Sequence, residues 1–169
     1  MSAAPLAIEL KILDPRLAGW GFPMRGSALA AGLDLFACLE APLVLAPQAL
    51  PQLISAGFAL RIGSPEWCAL VLPRSGLGHK RGLVLGNSVG LIDADYEGPC
   101  LVSAWNRNRE GDIAIAPGDR IAQLVVTRVA QPQFVIVAEF SRTGGRQRAG
   151  FGSTGVSAAC PDNRDEGNS

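Results

Sequence analysis

The chain has 169 residues, 48% hydrophobic and 18% charged, which suits one globular domain with a core of its own and excludes a disordered polymer. With 15 basic and 15 acidic residues the formal charge is +0, so no net attraction to nucleic acid or to a membrane surface is expected, while a small anion can still find a local basic patch. No stretch approaches the roughly 20 apolar residues of a membrane helix, and the opening MSAAPLAIEL lacks the basic start and apolar run of a secretory signal.

Cys38, Cys68, Cys100 and Cys160 are about thirty or more residues apart, a spacing unlike the close pairs of a zinc motif. They read as free thiols in a reducing cytoplasm, three of them in apolar, strand-like context.

Helical periodicity is scarce. What recurs is a short apolar run closed by glycine or proline. The first, Leu33–Cys38, lies in AGLDLFA and carries one acid, Asp34, which reads either as an outer partner of a metal or as a partner for an arginine. Leu43–Ala46 and Leu53–Leu60 follow, then a segment, Pro65–Ala69, that can form one short helix.

The next run, Cys68–Leu72, leads into Pro73-Arg74-Ser75-Gly76-Leu77-Gly78. Its glycines let backbone amides approach a ligand, Ser75 adds a hydroxyl, and the Arg74 fork suits phosphate oxygens. Taken alone it is also an ordinary tight turn. The GxxxxGK[ST] pattern of a P-loop is absent from the chain, which argues against a standard ATPase or GTPase mechanism.

After Leu83–Leu85 comes GNSVGLIDADYEG, Gly86 to Gly98. Asp93 follows Val89, Leu91 and Ile92, at the edge of an apolar strand where a carboxylate can orient a water as general base. Tyr96 can lay its ring against a sugar or base. By itself this segment equally describes a glycine-rich hairpin with turn aspartates.

Leu101–Trp105 and Ile113–Ala116 precede a Pro117-Gly118-Asp119 turn. Ile121–Val129 then carries Gln123, whose amide needs partners if buried, and begins beside Arg120, read as a structural ion-pair partner. Phe134–Phe140 is the last strand-like run. From Ser141 the composition turns to Gly, Arg and Ser, as in a flexible tail whose Arg142, Arg146, Arg148 and Phe151–Gly155 could close over a phosphate chain. His79 is the only histidine, so Ser–His–Asp or Cys–His catalysis has no support.

Many short strands between turn signals predict an all-β barrel or sandwich, with residues 1–140 as the β domain and 141–169 as the tail.

Each segment is weak alone; their order is not. AGLDLFA, PRSGLG, GNSVGLIDADYEG, GDRIAQL and an Arg/Gly tail ending FGSTG resemble the five ordered motifs of the trimeric dUTPase family, over about Lys11 to Gly155. The resemblance implies a jelly-roll-like β-barrel with at most one short helix, and a homotrimer with active sites shared between chains. The implied reaction is hydrolysis of dUTP to dUMP and pyrophosphate, which keeps uracil out of DNA and supplies dUMP for thymidylate synthesis. Mg²⁺ is expected on the substrate triphosphate, and neither nucleic acid nor a membrane is expected as a partner.

By the same resemblance Asp93 activates the attacking water, Tyr96 packs under the deoxyribose, and Asn87 contacts uracil in a pocket lined by Leu91, Ile92 and Leu101. Arg74, Ser75 and Gly76 form the phosphate turn, and Gln123 supplies a phosphate-side amide. Arg146 with Phe151, Gly152, Ser153 and Thr154 close the site, and Asp34 reaches the metal through water. One departure lies in the tail. The family pattern is Arg, Gly, any residue, Gly, Gly, Phe; here it is Arg146-Gln147-Arg148-Ala149-Gly150-Phe151. The alternatives are a dCTP deaminase of the same fold, against which Asp93 paired with Tyr96 argues, and a non-catalytic nucleotide-binding module.

Overall fold

A computed structural model describes residues 6–141. It contains ten strands: β1 (Glu9–Ile12), β2 (Leu33–Phe36), β3 (Leu43–Leu45), β4 (Gln52–Arg61), β5 (Trp67–Pro73), β6 (Leu83–Leu85), β7 (Gly90–Ile92), β8 (Pro99–Asn106), β9 (Ile113–Ile115) and β10 (Arg120–Arg128). Every ladder is antiparallel. One sheet has the order β1-β4-β8-β6, a second β2-β10-β5-β7, and β3 with β9 makes a two-stranded ribbon. The architecture is jelly-roll-like, as expected, but the two sheets keep separate edges and do not close into a continuous barrel.

The strands arise from period-2 patterning. Along β8, Cys100, Val102, Ala104 and Asn106 turn inward and the residues between them face outward. Opposite them, Ile54, Phe58 and Leu60 of β4 meet Leu35 of β2, Ala69 and Val71 of β5 and Leu124 of β10 in one core cluster. Asn106 is the polar member of that interior. Its amide donates to the carbonyls of Leu45 and Gly111, both at 2.9 Å, so its burial costs no unpaired group.

Two expectations need correction. Two short helices are present, not at most one: α1 (Arg16–Gly19) and α2 (Ser75–Lys80). Neither lies at Pro65–Ala69, where a turn leads into β5, because Trp67–Val71 pairs along β10 and the ladder outweighs any single helical turn. Phe134–Phe140 forms no strand. Phe134, Ile136 and Phe140 are 87%, 99% and 88% exposed, since an apolar alternation becomes a strand only when a neighbouring edge completes its hydrogen bonds. Conversely, β1 has no counterpart in the sequence reading; it is exposed at all four positions and carries no burial signature.

The compact β unit runs to Pro132. Within it Cys38, Cys68 and Cys100 are free thiols, and burial pushes the Cys38 and Cys100 thiols up to about 12. Cys160 lies outside the described residues.

Candidate active site

The turn that carries the chain from β7 in one sheet to β8 in the other builds the first half of the site; the two strands do not pair, so the hairpin reading of this segment is corrected. Gly90 faces Val71 across the β5–β7 ladder, where a Cβ on residue 90 would stand 3.0 Å from that of Val71. Glycine therefore lets β7 settle against β5 and leaves room beside it. A cavity of about 320 Å³ opens there. It brings together six residues expected from sequence: Asn87, Leu91, Ile92, Asp93, Tyr96 and Leu101.

Asp93 is exposed, immediately after β7. Tyr96 is anchored at both ends: its backbone N–H donates to the Asp93 carbonyl at 3.2 Å and its hydroxyl to the Pro99 carbonyl at 3.1 Å. The ring is thereby stretched across the mouth of the turn. Gly98 permits this, because a Cβ there would collide with the Tyr96 hydroxyl. Ile92 is only 8% exposed, so its side chain belongs to the core and the strand offers the cavity mainly backbone. Leu91 and Leu101 are exposed and form apolar walls. Sequence reading missed the walls contributed by Leu53, Val71 and Ser103. Only the register could have found them: Leu53 opposes Ser103, and Ser55 opposes Leu101.

The second half lies at the far end of β5. Arg74 caps β5, with Ser75 and Gly76 exposed at the start of α2. Asp34 is 7% exposed and opposes Gln123 on β10. One carboxylate oxygen of Asp34 forms an ion pair with Arg74 Nε at 3.0 Å, and the other accepts a hydrogen bond from Arg120 Nη1 at 3.1 Å. Arg74 also donates to the Arg120 carbonyl at 3.2 Å. The arginine-partner arrangement of Asp34 is thus the one adopted, and Arg120 is the structural ion-pair partner expected.

The charge on Asp34 is spent fixing two guanidinium planes, and no cluster of three or more His, Cys, Asp or Glu occurs among the described residues. Gln123 donates to the Pro73 carbonyl at 3.0 Å, holding the residue that precedes Arg74. It packs on Gly32, where any Cβ would strike its side-chain oxygen.

The two halves do not meet within one chain. Ile92 opposes Ala69, so Asp93 sits beside Cys68, and Arg74 lies six residues further along β5. At roughly 3.3 Å per residue that is about 20 Å. Arg142, Arg146, Phe151, Gly152, Ser153 and Thr154 lie outside the described residues.

A family model described as dUTPase matches residues 19–155. A deoxyuridine 5'-triphosphate nucleotidohydrolase of Xylella fastidiosa (strain M23) is 52% identical over 157 residues, covering 92% of this chain and 99% of that protein. The protein of the same name from Xanthomonas oryzae pv. oryzae is 48% identical over the same share of both chains. Among solved structures, the dUTPase of Staphylococcus bacteriophage 80alpha with dUpNHpp superposes with a TM-score of 0.77 at 28% identity, covering 89% of this chain and 99% of the other. A dUTPase variant from phage phi11 of S. aureus, described with a structural Mg(II) ion, does so at 0.69 and 25% identity, over 80% and 99%. A cavity at the β7–β8 turn holding Asp93 and Tyr96, an arginine turn fixed by Asp34, and relatives matched along nearly their whole length converge on one conclusion: the chain belongs to the dUTPase family.

Proposed function

We propose that this dUTP diphosphatase hydrolyses dUTP to dUMP and pyrophosphate with Asp93 activating the attacking water. The observation that carries the residue assignment is the single cavity joining Asp93, Tyr96, Asn87 and the β7–β8 backbone. The backbone of β7, held in register by β5, presents donors and acceptors at fixed positions, so uracil is matched on its edge and cytosine leaves buried polar groups unpaired. Tyr96, held through its hydroxyl and its amide, supports the deoxyribose and leaves no room for a 2′-hydroxyl. Asp93 takes a proton from water, and a positioned carboxylate base of this kind contributes about 10²–10⁴ in rate.

The triphosphate extends to Arg74, Ser75, Gly76 and Gln123. Arg74 lies about 20 Å from Asp93 in one chain, so the reading requires that a neighbouring chain supply the phosphate turn. A homotrimer with shared sites satisfies this. The exposed, strand-like Phe134–Val137 stretch supports assembly, because it is apolar surface that a single chain leaves in water. The tail residues Arg146, Phe151, Gly152 and Ser153 belong to the same reading as the closing segment. Mg²⁺ would ride on the substrate triphosphate, where it neutralises phosphate charge, while Asp34 serves the site by orienting Arg74. A cytoplasmic location agrees with free Cys38, Cys68 and Cys100.

The test is turnover of dUTP beside dCTP, dTTP and UTP, with and without Mg²⁺, read as pyrophosphate and ammonia. Pyrophosphate from dUTP alone is expected. Ammonia from dCTP without pyrophosphate from dUTP would overturn the reading in favour of a deaminase.

A further inference from the structure

We propose that Arg61 and Gly63, at the end of β4, are positioning residues that clamp the turn carrying Asp93 and Tyr96. The inference rests on the roles given above to those two side chains. The turn from Asp93 to Gly98 has few bonds of its own: the amide and hydroxyl contacts of Tyr96 account for them. Asp93, Asp95, Tyr96 and Glu97 are all exposed, and from β8 only the Pro99 carbonyl, accepting from the Tyr96 hydroxyl, holds the middle of the turn.

Two groups from β4 and the residues just beyond it reach across. The Gly63 N–H donates to the Ala94 carbonyl at 2.8 Å, next to Asp93 in the chain. Gly63 has φ +70, a conformation side chains disfavour, yet a Cβ there would meet nothing within 4 Å. Glycine is therefore required here by backbone geometry, which aims the N–H, and not by lack of space. The second group is Arg61. Its Nε lies 3.1 Å from the Glu97 carboxylate, and its Nη1 lies 3.7 Å from Glu9, its ladder partner on β1. One guanidinium thus links β1, β4 and the turn.

Charge gives Arg61 a second reason to be there. A cavity of about 620 Å³ beside the turn is bounded by three carboxylates, Asp93, Asp95 and Glu97, and Arg61 is its one basic wall residue. Without that cation the three acids repel one another within five residues, and the turn relaxes by opening. Arg61 is 52% exposed and Glu97 68%, so the pair adds little to folding stability. Its effect falls on where Asp93 sits, and a displacement of about 1 Å at a reacting group can cost on the order of 100-fold in rate.

Two readouts test the clamp. Tyr96 is the only tyrosine, so 3-fluorotyrosine gives one ¹⁹F resonance that reports on the turn without reference to turnover. Arg61→Ala and Gly63→Ala are each expected to shift or broaden that resonance. Both should lower kcat for dUTP by about tenfold with KM within about threefold; Arg61→Ala should keep a nearly parental unfolding midpoint, while Gly63→Ala lowers it by a few degrees because of its backbone strain. The reversed pair Arg61→Glu with Glu97→Arg should recover kcat to within about threefold of the parent. An unmoved resonance in both variants, or a reversed pair as slow as Arg61→Ala alone, overturns the clamp. A moved resonance with parental kcat leaves the clamp standing and instead refutes the assignment of Asp93 and Tyr96 to the reaction.

Discussion

Replacing Asp34 with Asn tests the phosphate half of the site at its most constrained point. Asp34 is 7% exposed and both carboxylate oxygens face guanidinium groups, Arg74 at 3.0 Å as an ion pair and Arg120 at 3.1 Å as a hydrogen bond. Asparagine keeps the shape and one acceptor but turns an amide donor toward a second donor, so either Arg74 or Arg120 loses its partner. A hydrogen bond to a charged group contributes about 1.5–3 kcal/mol. The arginine side chains are 30% and 42% exposed, so water recovers part of the loss and about 2 kcal/mol remains. At roughly 4 °C per kcal/mol for a domain of this size, the unfolding midpoint should fall about 8 °C.

Arg74 is also freed to rotate away from the phosphate, and kcat/KM for dUTP should fall about tenfold, equivalent to about 1.4 kcal/mol. Calorimetry at fixed protein concentration and a pyrophosphate-release assay measure the two effects. Parental values for both would refute the claim that Asp34 holds the arginine turn. A fall in stability with unchanged kcat/KM would leave the ion pair structural and remove Arg74 from substrate binding.

Further outcomes follow from the same geometry. Asp93→Asn should bind dUTP with parental affinity in calorimetry yet hydrolyse it at least about 100-fold more slowly; parental turnover would exclude Asp93 as the base. Gly98→Ala places a methyl group against the Tyr96 hydroxyl and breaks its bond to Pro99, so KM for dUTP should rise severalfold with little change in melting temperature. Deleting the residues after Phe140 should leave a trimer of normal mass in light scattering, with badly impaired turnover.

Acid should act through Asp14. The Arg16 guanidinium, bonded to its carboxylate at 2.7 Å, is the main reason its pKa is lowered to about 2. Because the folded value lies below the ordinary carboxylate value, this pair stabilises the fold above about pH 4, and its contribution disappears as pH falls toward 2. Arg16→Met should therefore flatten the drop in melting temperature between those limits, and an unchanged profile would count against the pair.

Local pattern settled a good part of this protein. Alternation and glycine–proline punctuation placed nine of the ten strands, since period 2 is a property of each segment alone. The motifs carried residue identity: Asp93 and Tyr96 in one turn, Arg74 in a glycine-rich one. The sequence could equally have given Asp34 to a metal or to an arginine. Only the pairing of β2 with β10, and β10 with β5, brought Arg120 and Arg74 to its two oxygens. The Phe134–Phe140 run shows the same limit from the other side: an apolar alternation states that a strand can form, while its hydrogen-bond partner has to come from somewhere else. The roughly 20 Å between Asp93 and Arg74 was likewise invisible in the chain order, where nineteen residues separate them. Side-chain chemistry is written residue by residue, but distance is set by strand register, and register is decided by which faces the whole fold can bury together.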